Sequence, residues 1–340
     1  MENLIFELCT NTGISGSELQ ISEFALKKFS NYSDVQIDKN NNVIVTFGNL
    51  DSKKHIMLDA HIDQIGMVVT YITKEGFLKI APCGGVDCRV LPGSVLKIHG
   101  TKDILGIVTS VPPHLTDSDK NKKFKKISDL YVDTGLTYDE LKSIVKPSDT
   151  LSYYPKFKKL LNNNISCCSL DNRASVAALI KCAEILSKEK LSSKVSIVLS
   201  SQEETNSKGS KTAVYSLNPT ESIVVDVSFA SQLDVSEEKS GKLGYGPMIG
   251  IAPPLSRKIS NKFVELSKKY NIPYQLEIMG SNTGTNADKI SISKSGVPCG
   301  LLSIPQRYMH TPNELVNLDD IKNTAKLLSL YIKNGGMCND

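Results

Sequence analysis

The chain reads as an α/β protein that carries a small β-rich insert. From about residue 164 onward, apolar strand-like runs alternate with helical patterns, the signature of parallel βαβ units. Between residues 64 and 162 that rhythm gives way to short β-like stretches broken by turn residues. At 340 residues the chain exceeds the usual size of one hydrophobic core. The expected division is therefore an α/β domain in two parts, 1–63 and 163–340, with 64–162 inserted between them.

In chain order, Glu18 to Phe29 reads as a helix and His55 to Asp59 as a strand. In the insert, Met67 to Ile72, Ser94 to His99 and Ile104 to Thr109 read as strands. Gly84-Gly85, Pro92-Gly93, Pro112-Pro113 and Lys146-Pro147 punctuate them, and one brief helical pattern lies around Tyr138 to Val145. Lys120 to Lys126 carries five lysines and reads as a solvated loop. Asp171 to Lys188 places Val176, Leu179, Ile180, Ala183 and Leu186 on one helical stripe. Lys194 to Ser201 and Ser222 to Asp226 follow as buried strands. Arg257 to Tyr270 is a helix with Phe263, Leu266 and Tyr270 on one face, ended by Asn271 and Pro273. Pro273 to Met279 is expected as a strand, Ala287 to Lys294 as a short helix, Val297 to Ile304 as a strand, and Asp319 to Ile332 as the closing helix.

A formal charge of +4, set against 40 basic and 36 acidic side chains, gives no reason to expect nucleic acid as a partner. No apolar run reaches the length of a membrane span. Met1 to Leu8 lacks the basic region, long apolar stretch and cleavage site of a secretory signal, so a cytoplasmic protein is expected. The eight cysteines are scattered, with Cys167 and Cys168 adjacent, and read as reduced, mostly buried thiols. Cys83 and Cys88 lack the second pair that a structural zinc site needs.

Residues suited to metal chemistry recur at the ends of apolar runs: His61 with Asp63, Asp171, Glu203 with Glu204, Asp226 and His310. A binuclear site needs one carboxylate bridging both ions, a histidine or carboxylate completing each shell, and a protonatable carboxylate beside the water that attacks. Between two divalent ions about 3.5–4 Å apart a water becomes a nucleophile near neutral pH. A neighbouring glutamate can take its proton and return it to the leaving amine. Open α/β sheets hold ligands beyond the carboxyl ends of their strands. His61 and Asp63 follow one strand, Glu203 and Glu204 follow another, and Asp226 closes a third, so three strand ends converge on one edge. Asn206 and Gly209 favour a turn that lets both glutamates reach one site. Asp171 is expected to open its helix, where capping geometry and the dipole favour a carboxylate. Asp63 is placed to orient the His61 imidazole through its other nitrogen. Taken singly, His61 is an ordinary loop or core histidine, Asp171 a helix cap, the glutamate pair solvated charge, and His310 a structural residue. The set as a whole is what points to two metals. His55, His99 and His114 have no acidic companions and read as structural.

With these residues gathered, the chain resembles the TET-type (tetrahedral) metallo-aminopeptidases, a bacterial and archaeal family of glutamyl and deblocking aminopeptidases sometimes labelled endoglucanases. The resemblance runs along nearly the whole chain. It includes Ala60-His61-Ile62-Asp63-Gln64-Ile65-Gly66, Pro112-Pro113-His114-Leu115, Asp133-Thr134-Gly135, Leu170-Asp171-Asn172-Arg173, Gln202-Glu203-Glu204, Val225-Asp226-Val227, Ser295-Gly296-Val297-Pro298 and the run from Ile304 to Glu314. The resemblance implies an α/β/α zinc-exopeptidase sandwich of the phosphorylase/hydrolase-like type with an inserted β-rich domain for dimerisation and assembly. It also implies two divalent ions, zinc or cobalt, with Asp171 bridging them, His61 and Asp226 completing one shell and Glu204 and His310 the other. Glu203 would be the general base and Asp63 the partner of His61. Peptides would be the substrates, and a hollow homododecamer built from dimers the assembly. Two stretches depart from the family: Thr205 to Gly209 lacks the usual Val-Gly, and Asn286, preceded by Ser281-Asn282, stands where an aspartate is usual. Both are expected to border the substrate pocket.

The expected activity is removal of N-terminal residues from short peptides. A metal-dependent deacylase or a non-catalytic scaffold would keep the same fold. A glycoside hydrolase needs two carboxylates flanking one bond, usually with aromatic platforms, whereas this chain has no tryptophan and pairs its acids with histidines.

Overall fold

The computed structural model describes residues 1–32, 34–110 and 124–337. His114, the Pro112-Pro113 turn and Lys120 to Lys123 of the lysine-rich run lie outside the described residues. The expected elements from residue 170 on are found as Leu170–Leu186, Lys194–Ser200, Glu221–Phe229, Arg257–Lys269, Gln275–Ile278, Ala287–Ile290, Cys299–Arg307 and Leu318–Lys333. Four strands form the parallel centre of an eleven-stranded sheet, in the order Lys194–Ser200, His55–His61, Glu221–Phe229, Cys299–Arg307.

The sheet is mixed rather than wholly parallel. Val43–Gly48 adds antiparallel to one side of the centre, while Glu314–Asn317 and then Asn164–Cys167 add antiparallel to the other. The expectation of parallel units from residue 164 onward fails at these edges, where strands of four residues are too short for their alternation to show.

Alternation along the central strands divides the core into two layers. Ile56, Leu58 and Ala60, with Ile223, Val225 and Val227, join the large cluster built with the helices Glu2–Thr10, Leu170–Leu186, Arg257–Lys269 and Leu318–Lys333. Met57, Val198, Val224 and Leu301 face the other way, onto Ala213, Val214, Ala287 and Ile290 of two shorter helices. Burial on both faces is why these strands read as nearly continuous apolar runs. Asp59, His61 and Asp226 share the parity of Met57 and Val224, and so belong to the face of the smaller cluster.

Six strands of the insert close into a barrel in the order Gly66–Ile72, Phe77–Cys83, Val132–Asp133, Asp103–Val108, Val95–His99, Thr150–Tyr153. Met67, Val69, Leu78, Ile80, Leu96, Ile98 and Leu151 fill its interior, the inward half of a period-two pattern. The expected helix is Tyr138–Ile144, started by a capping box between Thr137 and Glu140.

His55, read as structural, begins the central strand, is 6% exposed, and shares a 2.8 Å hydrogen bond between Nε2 and Ser196 Oγ. Burial, helped by Lys194, pushes its pKa down to about 4. As pH falls through the ordinary histidine range the unfolded chain takes up a proton that the folded chain refuses, so stability is lost between about pH 6.5 and 4. The expected loss from this residue is up to about 3 kcal/mol. In urea unfolding at pH 7.5 and 4.5, His55→Gln should narrow the gap in stability that wild type shows.

Candidate metal centre

Asp171 sits between two histidines. Its Oδ1 lies 3.1 Å from His61 Nε2, and its Oδ2 lies 3.2 Å from His310 Nε2. Asp226 Oδ1 is 3.7 Å from His61 Nε2, and Glu204 Oε2 is 3.4 Å from His310 Nε2. Two groups result, His61 with Asp171 and Asp226, and Asp171 with Glu204 and His310. Within each, the potential ligand atoms lie inside 4.8 Å of one another and could hold a metal ion. Glu203 opens onto the same cavity of about 250 Å³.

Each imidazole is turned by its other nitrogen. His310 Nδ1 donates to the Gly85 carbonyl at 3.1 Å, and His61 Nδ1 faces the Asp63 carbonyl at 3.2 Å and its Oδ1 at 3.4 Å. Acceptors at both Nδ1 positions hold a proton there, so Nε2 is the nitrogen each ring turns toward the carboxylates and the one a metal would take. The Gly85 contact is close. A Cβ at this position would come within 2.6 Å of the His310 ring, so the glycine read only as loop punctuation lets the insert reach a histidine of the main domain.

The charges are mutually dependent. Burial pushes Asp226 well above the usual carboxylate range and raises Glu204 too, while Glu203 rises to about 7 from burial first, partly offset by His61. Burial opposes charge on His310, but its bonds to Asp171 and Glu204 outweigh that and raise it to about 11. His61 is raised by Asp171 and Asp63 in the same way. Protons on the imidazoles thus compensate the packed carboxylates, a task that dications would perform with every ligand in its metal-binding form. Glu204 Oε1, buried with no hydrogen-bond partner, fits the same demand.

Two placements differ from expectation. Asp226 does not close its strand. Glu221–Phe229 runs three residues further, pairing Asp226 with Ser303, so this carboxylate stands on the sheet face. Asp171 does not cap its helix either. Asp171 and Asn172 have non-helical backbone angles, and the Asp171 side chain meets the histidines instead. Glu203 and Glu204 begin the short helix Glu203–Asn206, reached through Gln202 in the left-handed conformation. Asp63 does more than face His61. Its Oδ1 and Oδ2 accept the backbone N–H groups of Glu203 and Glu204 at 3.0 and 3.2 Å.

Glu314 belongs to the site although no role was expected for it. Buried at 2% exposure, it accepts the Asp171 N–H on Oε2 at 3.1 Å and the His310 N–H on Oε1 at 2.9 Å. The signal for it was a glutamate opening a buried strand close behind His310, a position that rarely carries an unpaired charge. Asn172 Nδ2 donates to the Val225 carbonyl at 3.0 Å, and the buried Arg173 guanidinium donates to Leu8 O and Gln64 Oε1. These bonds tie the Asp171 segment down on both sides.

Of the departing residues, Ser281 and Asn282 line a neighbouring cavity, while Asn286 is buried beneath the sheet end. Asn286 Nδ2 donates to Asp59 Oδ2 at 2.8 Å and Ser200 Oγ at 2.9 Å, and its Oδ1 accepts from Ser210 Oγ. Gly209 packs against Ser201 and Asn42, and Thr205 meets Ser15. Asn286, Ser207 and Gly209 are thus fitted to the interior while Thr205, Asn206 and Lys208 are exposed, and none of them lines the two cavities beside the site.

A mixed sheet with helices on both faces, a barrel inserted between its strands in the chain and two histidine-carboxylate groups sharing one aspartate define a two-metal exopeptidase of the aminopeptidase kind. The model of the M42 glutamyl aminopeptidases matches residues 41–327, and the chain belongs to the M42 peptidase family. A lysyl aminopeptidase of Pyrococcus furiosus is 33% identical over 336 residues, spanning 97% of this chain and 96% of that one. An aminopeptidase from the archaeon Desulfurococcus kamchatkensis superposes with a TM-score of 0.91 at 30% identity, covering 98% of this chain and 94% of that one. The TET1 peptidase of Pyrococcus horikoshii, which can assemble into a tetrahedron or a large octahedral shell, gives 0.86 at 28% identity over 97% of this chain and 98% of its own.

Asn286→Asp would set two buried carboxylates against each other beside Asp59, whose own pKa burial has already raised to about 6. A loss of about 2–4 kcal/mol at pH 7 is expected. The loss should shrink toward pH 5, where a shared proton is readily supplied. Adding Asp59→Asn, which restores one amide and one carboxylate in exchanged positions, should recover most of it in denaturant unfolding.

Proposed function

We propose that this chain is a binuclear-metal aminopeptidase in which Asp171 bridges the ions, His61 and Asp226 complete one shell, Glu204 and His310 complete the other, and Glu203 is the general base. The observation that carries this assignment is the Asp171 carboxylate, which gives one oxygen to each histidine group. Two divalent ions, zinc or cobalt, would polarise the scissile carbonyl and acidify a water between them. Glu203 lines the cavity and belongs to neither histidine-carboxylate group, so its carboxylate is left to accept a proton and return it to the departing amine. Asp63 fixes the His61 ring and, through the Glu203 and Glu204 N–H groups, the position of the base.

The family's glutamyl and the relative's lysyl names differ, so kinship alone does not choose a preferred N-terminal residue. We assign residues 1–63 and 163–340 to the catalytic domain and 64–162 to an assembly module. Tyr71, Leu105 and Ile107 are large apolar side chains exposed on barrel strands, and the Pyrococcus horikoshii relative forms closed shells. The proposed assembly is a homododecamer built from dimers. A cytoplasmic enzyme is supported by the described cysteines, all free thiols and most of them buried. Among the described residues no helix is long and apolar enough to cross a membrane.

Glu203→Gln should lower kcat on aminoacyl anilides by about 10²–10⁴ while leaving metal content intact by elemental analysis. Chelation should abolish wild-type activity, and added zinc or cobalt should restore it; activity that survives full metal removal would sink the proposal. Light scattering should give the mass of twelve subunits, and charged substitutions at Leu105 and Ile107 should reduce it to a smaller species.

A further inference from the structure

The cavity over the metal centre continues into a second of about 480 Å³ that none of the proposed metal ligands lines. Five residues border both: Ser228, Phe229, Glu277, Thr283 and Gly284. Among the described residues, Glu277 is the one carboxylate of the first cavity outside the histidine-carboxylate groups and the proposed base, and no lysine or arginine lines that cavity. It stands on the strand Gln275–Ile278, with Ser228 Oγ donating to Oε1 and Ser303 Oγ donating to Oε2 at 2.6 Å. A carboxylate has about four acceptor positions, so two hydroxyl donors hold its direction and leave room for a cation.

We propose that Glu277 sets the enzyme's preference for a basic N-terminal residue by receiving the side-chain ammonium or guanidinium of lysine or arginine. This rests on the aminopeptidase reading of the neighbouring centre. A side chain leaving a carbonyl held at the metal groups must pass the shared wall to enter the second cavity. There Phe229, Met248, Leu276 and Met279 offer apolar surface to its methylene stem, and Glu277 meets its charge. Lys239, exposed beside Glu238 in the second cavity, is the one cation on its wall among the described residues and would serve an acidic residue instead.

The test compares kcat/KM of the metal-loaded enzyme on lysyl, arginyl, leucyl and glutamyl anilides, in wild type and Glu277→Gln. Wild type is expected to favour lysine and arginine, and the lysine-to-leucine ratio to fall about ten- to a hundred-fold in the variant, the effect of a lost charge-assisted hydrogen bond. The wild-type order requires no variant to fold, and Glu277→Lys should turn the preference toward glutamate. A wild-type preference for leucine or glutamate, or a ratio that Glu277→Gln leaves in place, would overturn the assignment while leaving the aminopeptidase reading intact. Absence of cleavage on every anilide would instead remove that reading. In that case calorimetry with lysine and norleucine decides the pocket: tighter binding of lysine, lost in Glu277→Gln, upholds the role of Glu277, and equal binding ends it.

Discussion

The site hangs on two carboxylates that do not line its cavity. Asp63 accepts the N–H groups of Glu203 and Glu204, and Glu314 accepts those of Asp171 and His310. Each buried acid therefore clamps a pair of residues that belong to the centre. Such bonds are charge-assisted, stronger than those between neutral groups, and directional. They are also costly to leave half made, because a buried carboxylate without donors is severely penalised. The three segments carrying Asp171, Glu203 with Glu204, and His310 come from distant parts of the chain, and these clamps fix the backbone from which the side chains converge.

The clamps are effective because the frame beneath them is rigid. The central strands are buried on both faces, and Asp59, His61 and Asp226 rise from the face of the smaller cluster. Burial first, and the crowding of like charges after it, lifts the pKa values of Glu203, Glu204 and Asp226, while hydrogen bonds to the carboxylates draw protons onto the histidines against their own burial. A chain that keeps so many acids together needs positive charge among them. Bound dications would turn that repulsion into affinity.

Much of this was legible in residue order because strand ends and ligand types are local signals. His61, Asp171, Glu203, Glu204, Asp226 and His310 stand out as polar residues closing or following apolar runs, and the structure brings all of them together. What sequence left hidden is set by contacts across long separations. Asp226 lies within a strand because Val227 to Phe229 find partners in Ile304 to Gln306, a pairing that nothing near residue 226 announces. Asn286 looks like a change at the pocket until Asp59, 227 residues away, is seen accepting its amide hydrogen. The edge strands escaped for a different reason, since four residues carry too little alternation to distinguish a strand from a loop.

Gly85 shows how the insert and the main domain depend on each other. The His310 ring is oriented by a carbonyl of the inserted segment, and Gly84, with a positive φ, packs against Glu204. One histidine and one glutamate of the same group thus take their positions partly from the insert rather than from the sheet. A displacement of that segment would turn the His310 ring away from Asp171 while leaving His61 and Asp226, held by the central strands, in place. The two metal groups should for this reason differ in their sensitivity to disturbance of the insert, with the Glu204–His310 group the first to loosen.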